Sequence, residues 1–324
     1  MEKRSHTDGD EPKMGAMRRS PLLLWFTAAL TCSLLAGCGS DDAVKPEVTG
    51  PKPFKVMTYN VLCSFCKGDE YDAWDDRKLY FKDIFARHDA DLYGLQELAF
   101  GTEVDQMLEL VDGFSSVYYA AADSNFTYPD ASILYRAERF DLLDSGEFWL
   151  SPTPDEPSSI GFSPPQVPRL VVWAKLHDKQ SASDLVFVST HFDNNSPSQE
   201  LSAPLVVERL QPLAGDAPLV LLGDFNSKPD TEAYRILTAS DGFHFENTQG
   251  LADAWEVDTN QDPAPAYDLD DRIDHIFVAP NSANWTVSDW AVDVHQYGPS
   301  QRYASDHFPM AATLLAGKNS VLSP

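Results

Sequence analysis

Apolar and polar positions change period repeatedly along the chain, and the changes mark out elements. Residues 54–61 (FKVMTYNV) alternate and are rich in β-formers, which predicts a strand. Asp75–His88 instead carries Leu79, Tyr80, Ile84 and Phe85 at helical spacing. Asp91–Gln96 reads as a second strand and Thr102–Val111 as a helix. Ser116–Ala121, Ala131–Tyr135 and Phe140–Leu150 follow as strands, and Pro-rich 151–168 as a long loop. Leu170–His177 and Asp184–His191 are predicted strands, and Ser198–Leu213 a broken helical stretch. Ala217–Gly223 (APLVLLG) reads as a buried strand and Thr231–Thr238 as a helix. Asp274–Val278, Trp285–Val292 and Phe308–Leu314 close the chain as strands, and no internal repeat is visible. Many strands with few helices predict an α/β sandwich of sheets flanked by helices.

Ahead of this alternation an apolar run extends from Leu22 to Ala36. Arg18 and Arg19 precede it, and it ends in Leu35-Ala36-Gly37-Cys38. A basic flank, a short apolar stretch and small residues before a cut describe an export signal. The run is short against the roughly 20 residues a membrane span needs. Its ending resembles a bacterial lipobox, which implies that Cys38 becomes the lipidated first residue of the mature protein. The alternative is an ordinary cleaved signal with Cys38 incidental. Met1–Gly15 is too polar for a signal start, which makes Met14 or Met17 a candidate initiator. Residues 39–53 combine Gly, Pro and acid without apolar period and read as a flexible tether. The expected organisation is a lipoprotein signal at 1–37, a tether at 38–53, one domain at 54–316 and a tail at 317–324. The expected location is outside the cytoplasm, anchored by lipid to the bacterial envelope in the outer membrane or periplasm.

The composition sets limits on partners. Hydrophobic residues make up 43% of the 324 and aromatics 11%, which is globular rather than disordered. Lys and Arg number 24 against 50 Asp and Glu, a net charge of −26. Loss of 1–37 would leave 19 against 46, or −27. Proteins that grip a polyanion along its length carry a basic face, and this chain has no excess cation for it. Four cysteines are present. Cys32 leaves with the signal, and Cys63 and Cys66 form C-x-x-C just after the first strand. In an oxidising compartment they can close a disulfide, the alternative being two reduced thiols in a loop. A zinc site is not expected there, since no second Cys pair exists.

Several strands end in acid, amide or imidazole groups: Thr58-Tyr59-Asn60, Gln96-Glu97, Thr190-His191-Phe192-Asp193 and Gly223-Asp224-Phe225-Asn226-Ser227. Arg272-Ile273-Asp274-His275 opens a late strand and Ser305-Asp306-His307-Phe308-Pro309 the last. Rigid strand ends are where sites tend to be built. This set, in this order, resembles the endonuclease/exonuclease/phosphatase superfamily. That superfamily includes pancreatic-type deoxyribonucleases, abasic-site endonucleases, neutral sphingomyelinases, inositol polyphosphate 5-phosphatases and deadenylases. The match runs from about Phe54 to Leu315. ILYRAERFDLLDSGEFWLSPTPDEP followed by THFDN looks most like a bacterial branch of uncertain substrate. The resemblance implies a four-layer α/β sandwich, two packed mixed β-sheets flanked by helices. It also implies a monomer that hydrolyses a phosphomono- or phosphodiester by in-line attack of water. The ester would be a small phosphorylated metabolite, a lipid headgroup or a nucleic acid; the acidic surface argues against long duplexes. A nuclease of the same fold and a catalytically silent binding lipoprotein are the alternatives.

Each residue has a role that the resemblance implies and chemistry makes sensible. A phosphate ester is anionic, and a hard cation on oxygen ligands offsets that charge. Glu97 is the implied metal ligand, helped by Asn60 and Asp306, for magnesium with manganese able to substitute. Asp224 orients or deprotonates the water, and Asn226 contacts the phosphate; an Asx turn would be the plainer reason for both. His191 and His307 flank the phosphate as acid/base groups or donors. Asp274 matches the carboxylate that orients His307, and a paired carboxylate favours imidazolium and fixes its tautomer. Tyr128 matches a phosphate-contacting Tyr, Asp130 an acid that supports His191, and Arg169 a cation placed on the substrate. Asp253 matches a structural position. His275 is expected behind the chemistry or exposed. Asn194 stands where the branch usually has His, and Asn195-Ser196-Pro197 follows with no Arg nearby. Residues 258–262 (DTNQD) begin like a calcium loop, but Pro263 and Leu269 occupy the positions of its Gly and bidentate acid. That segment is expected to be a polar loop.

Overall fold

The structure is a computed structural model that describes residues 50–66, 68, 70–120, 128–162 and 167–317. The signal, Cys38, and most of the tether and tail lie outside these residues. No helix among the described residues is long and apolar enough to cross a membrane.

One sheet has seven strands. β1 (Phe54–Asn60) and β2 (Leu92–Gln96) run parallel at its centre. β3 (Phe114–Val117) and β4 (Ala131–Arg136) extend it on the β2 side. The second sheet begins with β5 (Phe140–Trp149), β6 (Leu170–Asp178), β7 (Ser183–His191) and β8 (Leu219–Asp224) in that order. β9 (Glu246–Asn247) pairs with β11 (Asp274–Val278), which lies against β8. β10 (Glu256–Asp258), β12 (Asn284–Asp293) and β13 (Met310–Gly317) complete the first sheet beside β1. Both sheets are mixed, because β1–β2, β10–β12 and β7–β8 are parallel pairs in otherwise antiparallel order.

Three apolar clusters separate four layers. The inner faces of the two sheets meet through Val56, Leu92, Ile133, Val172, Phe187, Leu222 and Ile276. Helices α1 (Trp74–His88) and α2 (Gly101–Leu108) cover the outer face of the first sheet, burying Phe81, Ile84, Phe85, Val104 and Met107. Helices α3 (Ser198–Ala214) and α4 (Glu232–Leu237) cover the second, burying Val206, Leu210 and Leu237. Both strands that carry Asn60 and Asp224 are therefore buried on two faces, which accounts for the apolar run of β8 and for the burial of Thr58 and Tyr59 along β1, where the alternating sequence alone implies one buried face. The sheets approach closely at Gly94, where a Cβ would lie 2.0 Å from Leu222 Cδ1.

The structure departs from the sequence expectation in defined places. α3 is continuous rather than broken, although Pro204 and Pro212 lie within it. Both prolines sit on its exposed face, and Ser202, Ala203, Val206 and Leu210 hold the opposite face to the sheet. Packing here outweighs the local cost of a helical proline. The strand expected at Ser116–Ala121 is centred earlier, at Phe114–Val117. β9, β10 and the single-turn helix α5 (Thr248–Leu251) are too short to leave a period in the sequence. Asp258, expected in a polar loop, ends β10. Asp253 is exposed, so no buried structural role attaches to it.

Candidate active site

Strand register makes the site. His191 on β7 is the partner of Asp224 on β8, and Asp224 is the partner of Asp274 on β11. Three residues of different chemistry thus share one row at the end of the second sheet. On the facing sheet Asn60 pairs with Gln96, and Glu97 follows immediately. The Asn60 amide joins the two sheets, its Nδ2 donating to Glu97 Oε1 and to Asp224 Oδ2, each at 3.0 Å. Its Oδ1 accepts from Leu62 N–H at 3.1 Å. In this arrangement Asn60 acts as a donor that holds two carboxylates side by side.

Two of these residues have backbones that most side chains avoid. Glu97 has φ 67° and Asn226 φ 47°. Left-handed conformations at non-glycine residues cost on the order of 1–3 kcal/mol and cluster at functional sites. Local bonds hold both. Glu97 N–H donates to Asp130 Oδ1 at 3.1 Å, and Asn226 N–H to Asp224 Oδ1 at 2.8 Å. Gly223 precedes the second turn with φ 150°, where a Cβ would lie 2.0 Å from Thr190 O. Only glycine lets β7 and β8 approach closely enough to set His191 beside Asp224.

The two imidazoles converge on one oxygen. His191 Nε2 lies 3.3 Å and His307 Nε2 3.6 Å from Asp224 Oδ2. Behind each stands a carboxylate on Nδ1, Asp130 at 2.9 Å from His191 and Asp274 at 2.7 Å from His307. Burial pulls both imidazoles toward neutrality, and the carboxylates overcome it. His191 is raised above its ordinary value, with Asp130 and Asp224 prevailing over burial and over Arg169. His307 is pushed up to about 10 by Asp274, Asp224 and Asp306. Burial raises Asp274 to about 6, which leaves it ionised beside His307 at neutral pH. Asp130 is held down at about 2: burial raises it, but His191 and Arg169 win.

The other predicted residues fall around this row. Asn226 Nδ2 donates to Phe192 O at 3.0 Å and lies 3.4 Å from His191 Nε2. Ser305 Oγ donates to Asn60 O at 2.7 Å, which fixes exposed Asp306 and half-buried His307 at the edge of the site. Arg169, expected on substrate, is turned inward: its Nη1 contacts Asp130 Oδ2 and lies 2.8 Å from His191 Nδ1. Tyr128 is half-buried and meets Phe65 edge to face at 6.3 Å. Cys63 and Cys66 form a disulfide, so their sulfurs are not thiolate ligands. The turn they close gives Glu97 Oε2 the Cys63 N–H at 3.0 Å.

Sequence reasoning missed Arg77. It is 1% exposed, and its guanidinium donates only to carbonyls: Val61, Leu62, Cys63, Asp72 and Ala304. These belong to the loops after Asn60 and before Asp306, so one side chain fastens both to α1. The signal was a cation on an apolar helical stripe, with Arg77 in phase with Phe81, Ile84 and His88.

His275 is buried, not exposed, and supports the turn from behind. Its Nε2 lies 2.8 Å from Ser227 O and its Nδ1 3.1 Å from Asn247 Nδ2. Nε2 therefore carries the proton and Nδ1 accepts. Burial lowers this imidazole to about 3, so the folded chain resists protonation that the unfolded chain accepts near 6.5. The sign follows: this residue's share of stability is complete above about 6.5 and declines as pH falls toward 3. Urea unfolding should show a loss of about 1.4 kcal/mol per pH unit in that window from His275 alone. His275→Gln should flatten the slope by one proton. An unchanged slope would remove this role.

The carboxylates of Glu97 and Asp306 are hard oxygen donors that suit a hard divalent cation, whereas Asn60, expected as a ligand, turns its NH2 toward Glu97 and has its Oδ1 on Leu62 N–H. Asp224, Asp274 and His307 also bring one ligand atom each within 4.8 Å of one another.

The sequence pattern of one family matches residues 57–307, from β1 to the imidazole of His307. The chain belongs to the Endonuclease/Exonuclease/phosphatase family. Structural likeness agrees with that membership. A protein of the endonuclease/exonuclease/phosphatase family from Bacteroides thetaiotaomicron is 28% identical with a TM-score of 0.71, over 83% of this chain and 96% of that one. A mannosyl-6-phosphatase from the same organism is 28% identical with a TM-score of 0.69, over 81% and 99%. Among curated proteins, Protein angel of Drosophila melanogaster is 24% identical over 204 residues, 58% of this chain. The match spans 56% of that relative's length. The Endonuclease/Exonuclease/phosphatase family is generally dependent on divalent metal.

Proposed function

We propose that this chain is a magnesium-dependent phosphoesterase, tethered to the bacterial envelope through Cys38, that acts on small phosphate esters. The convergence of His191 Nε2 and His307 Nε2 on Asp224 Oδ2 carries the reading. Two imidazoles aimed at one carboxylate outline the space a phosphoryl group would fill, with a proton acceptor at its centre. Asp224 orients the attacking water and takes its proton. His191 and His307 donate to phosphoryl oxygens as charge builds, and Asn226 contributes its amide. Asp130 and Asp274 hold each imidazole by Nδ1, which leaves Nε2–H facing substrate. Glu97 and Asp306 would hold the cation, which when bound neutralises phosphoryl charge, and the Asn60 amide holds Glu97 beside Asp224. The net charge of −26 favours small or lipid-borne esters over long nucleic acids, and the mannosyl-6-phosphatase likeness supports a sugar phosphate.

The test is turnover by the purified chain with magnesium. Mannose 6-phosphate, p-nitrophenyl phosphate, bis-p-nitrophenyl phosphate, sphingomyelin and plasmid DNA serve as substrates, with Glu97→Ala and His307→Ala as controls. Hydrolysis of at least one ester, lost in both controls, is expected. Equal inactivity of all three proteins on every substrate would overturn the reading, and cleavage of plasmid alone would make it a nuclease. Mass spectrometry of the envelope fraction should find diacylglycerol on Cys38; an unmodified soluble product would exclude the anchor.

A further inference from the structure

We propose that His88, Asp258, Asp293 and His295 form a second cation site, separate from the catalytic row, that takes zinc. The residues come from the end of α1, the end of β10, the end of β12 and the segment just after β12. His88 Nε2 lies 2.9 Å from Asp293 Oδ2 and 3.6 Å from Asp258 Oδ2. Ligands about 2.0–2.1 Å from a tetrahedral zinc are about 3.3 Å apart, a spacing these two distances bracket. His295 Nε2 lies 3.8 Å from Asp258 Oδ1, outside the close-set trio of His88, Asp258 and Asp293, and would swing inward to supply the fourth ligand. Its other nitrogen, Nδ1, is 2.9 Å from Asp293 Oδ1, the carboxylate support that orients a ligating imidazole. Two nitrogen and two oxygen donors suit zinc rather than magnesium, which binds imidazole poorly.

Burial and charge point the same way. The Asp293 and His88 side chains are 1% and 6% exposed. Among the described residues Arg87 is the one guanidinium or ammonium on the carboxylates, its Nη2 on Asp293 Oδ2 and Tyr297 Oη and its Nε 3.2 Å from Asp258 Oδ2. With both imidazoles in the neutral form that ligates, two carboxylates face one guanidinium, and a negative charge is left over. Zinc takes the place between His88 Nε2 and Asp293 Oδ2, the neutral ring keeping its one proton on Nδ1, and Arg87, which bonds the same Asp258 and Asp293 Oδ2 atoms, gives up those contacts to the metal.

The site sits at the root of the catalytic loop. Asp293 N–H donates to Pro309 O at 2.9 Å, and Val294 N–H to Asp258 O at 2.8 Å. These bonds close the base of the segment that bears Ser305, Asp306 and His307. A small cavity lined by Asp293, His295, Tyr303 and His307 lies between this base and the active site. A zinc here clamps α1, β10 and the loop base together.

The experiment uses the full chain carrying Glu97→Ala, Asp306→Ala and His307→Ala, which removes the proposed catalytic cation ligands and breaks up the Asp224–Asp274–His307 group as competitors. After chelation and reloading, one equivalent of zinc should be retained through desalting. Cobalt(II) in its place should give the intense visible absorption of a tetrahedral site. Adding His88→Gln and Asp258→Asn should weaken retention at least tenfold. His295→Gln alone should reduce the cobalt absorption, and zinc should raise the thermal midpoint only where the four residues are intact. No zinc retained by the parent, or retention unchanged by the added substitutions, would overturn the proposal and leave an ion-pair clamp built on Arg87.

Discussion

Asp224→Asn should lower kcat about 1,000-fold or more while leaving the fold and substrate affinity nearly intact. Asparagine matches aspartate in shape, so the turn survives: its Oδ1 can still accept from Asn226 N–H, as Asp224 now does at 2.8 Å. What disappears is the proposed base. General acid–base groups contribute about 100- to 10,000-fold, and a charged centre for two imidazoles adds to that. An amide nitrogen at the Oδ2 position would also face Asn60 Nδ2, another donor, across 3.0 Å. Glu97 and Asp224 would then no longer be bridged by one amide. Steady-state kinetics with magnesium and p-nitrophenyl phosphate, beside a thermal melt, checks the claim. A kcat within tenfold of wild type would show that Asp224 is not the proton acceptor. A midpoint more than a few degrees lower would instead indicate a collapsed turn.

Much of this arrangement was legible in the sequence, for a physical reason. A functional group at a strand end interrupts an apolar run, so Asn60, Glu97, His191, Asp224 and Asp274 stand out against the buried residues beside them. Strand period and order then implied the layers. Less legible were residues whose role depends on register between distant segments. That Asp224 lies beside both His191 and Asp274 follows from β7–β8–β11 pairing, which no local pattern encodes. The inward turn of Arg169 depends on Asp130, 39 residues away. Arg77 was hidden for the opposite reason, since a charged residue in a helix reads as solvated until the helix stripe is phased. The continuity of α3 through Pro204 and Pro212 was illegible because the buried face that holds it is a tertiary property.

Removing the carboxylate behind one imidazole should be nearly as damaging as removing the base. Asp274→Asn is expected to cost about 100- to 10,000-fold in kcat at pH 8, the scale seen when a catalytic histidine loses its orienting acid. Three changes act together. The Asn oxygen can stay on His307 Nδ1–H, but the charge that favours imidazolium is gone. The amide NH2 then takes the place of Asp274 Oδ1, a buried atom with no hydrogen-bond partner, where an unpaired donor costs about 1–3 kcal/mol. If the amide flips, His307 turns its proton to Nε2 only as a neutral ring. The pH profile separates this from simple destabilisation. Burial lowers His307, and Asp274 is the first of the charges that overcome it and bring it to about 10. With a raised value, the protonated form is complete below about 6.5 and fades as pH rises through about 10 in the wild type. The alkaline fall in kcat should accordingly sit near 10 in the wild type and move down toward 6.5 in Asp274→Asn. The variant should recover part of its loss at pH 6, where the imidazolium re-forms. A parallel loss at every pH, with the alkaline limb unmoved, would mean that Asp274 positions His307 without setting its charge.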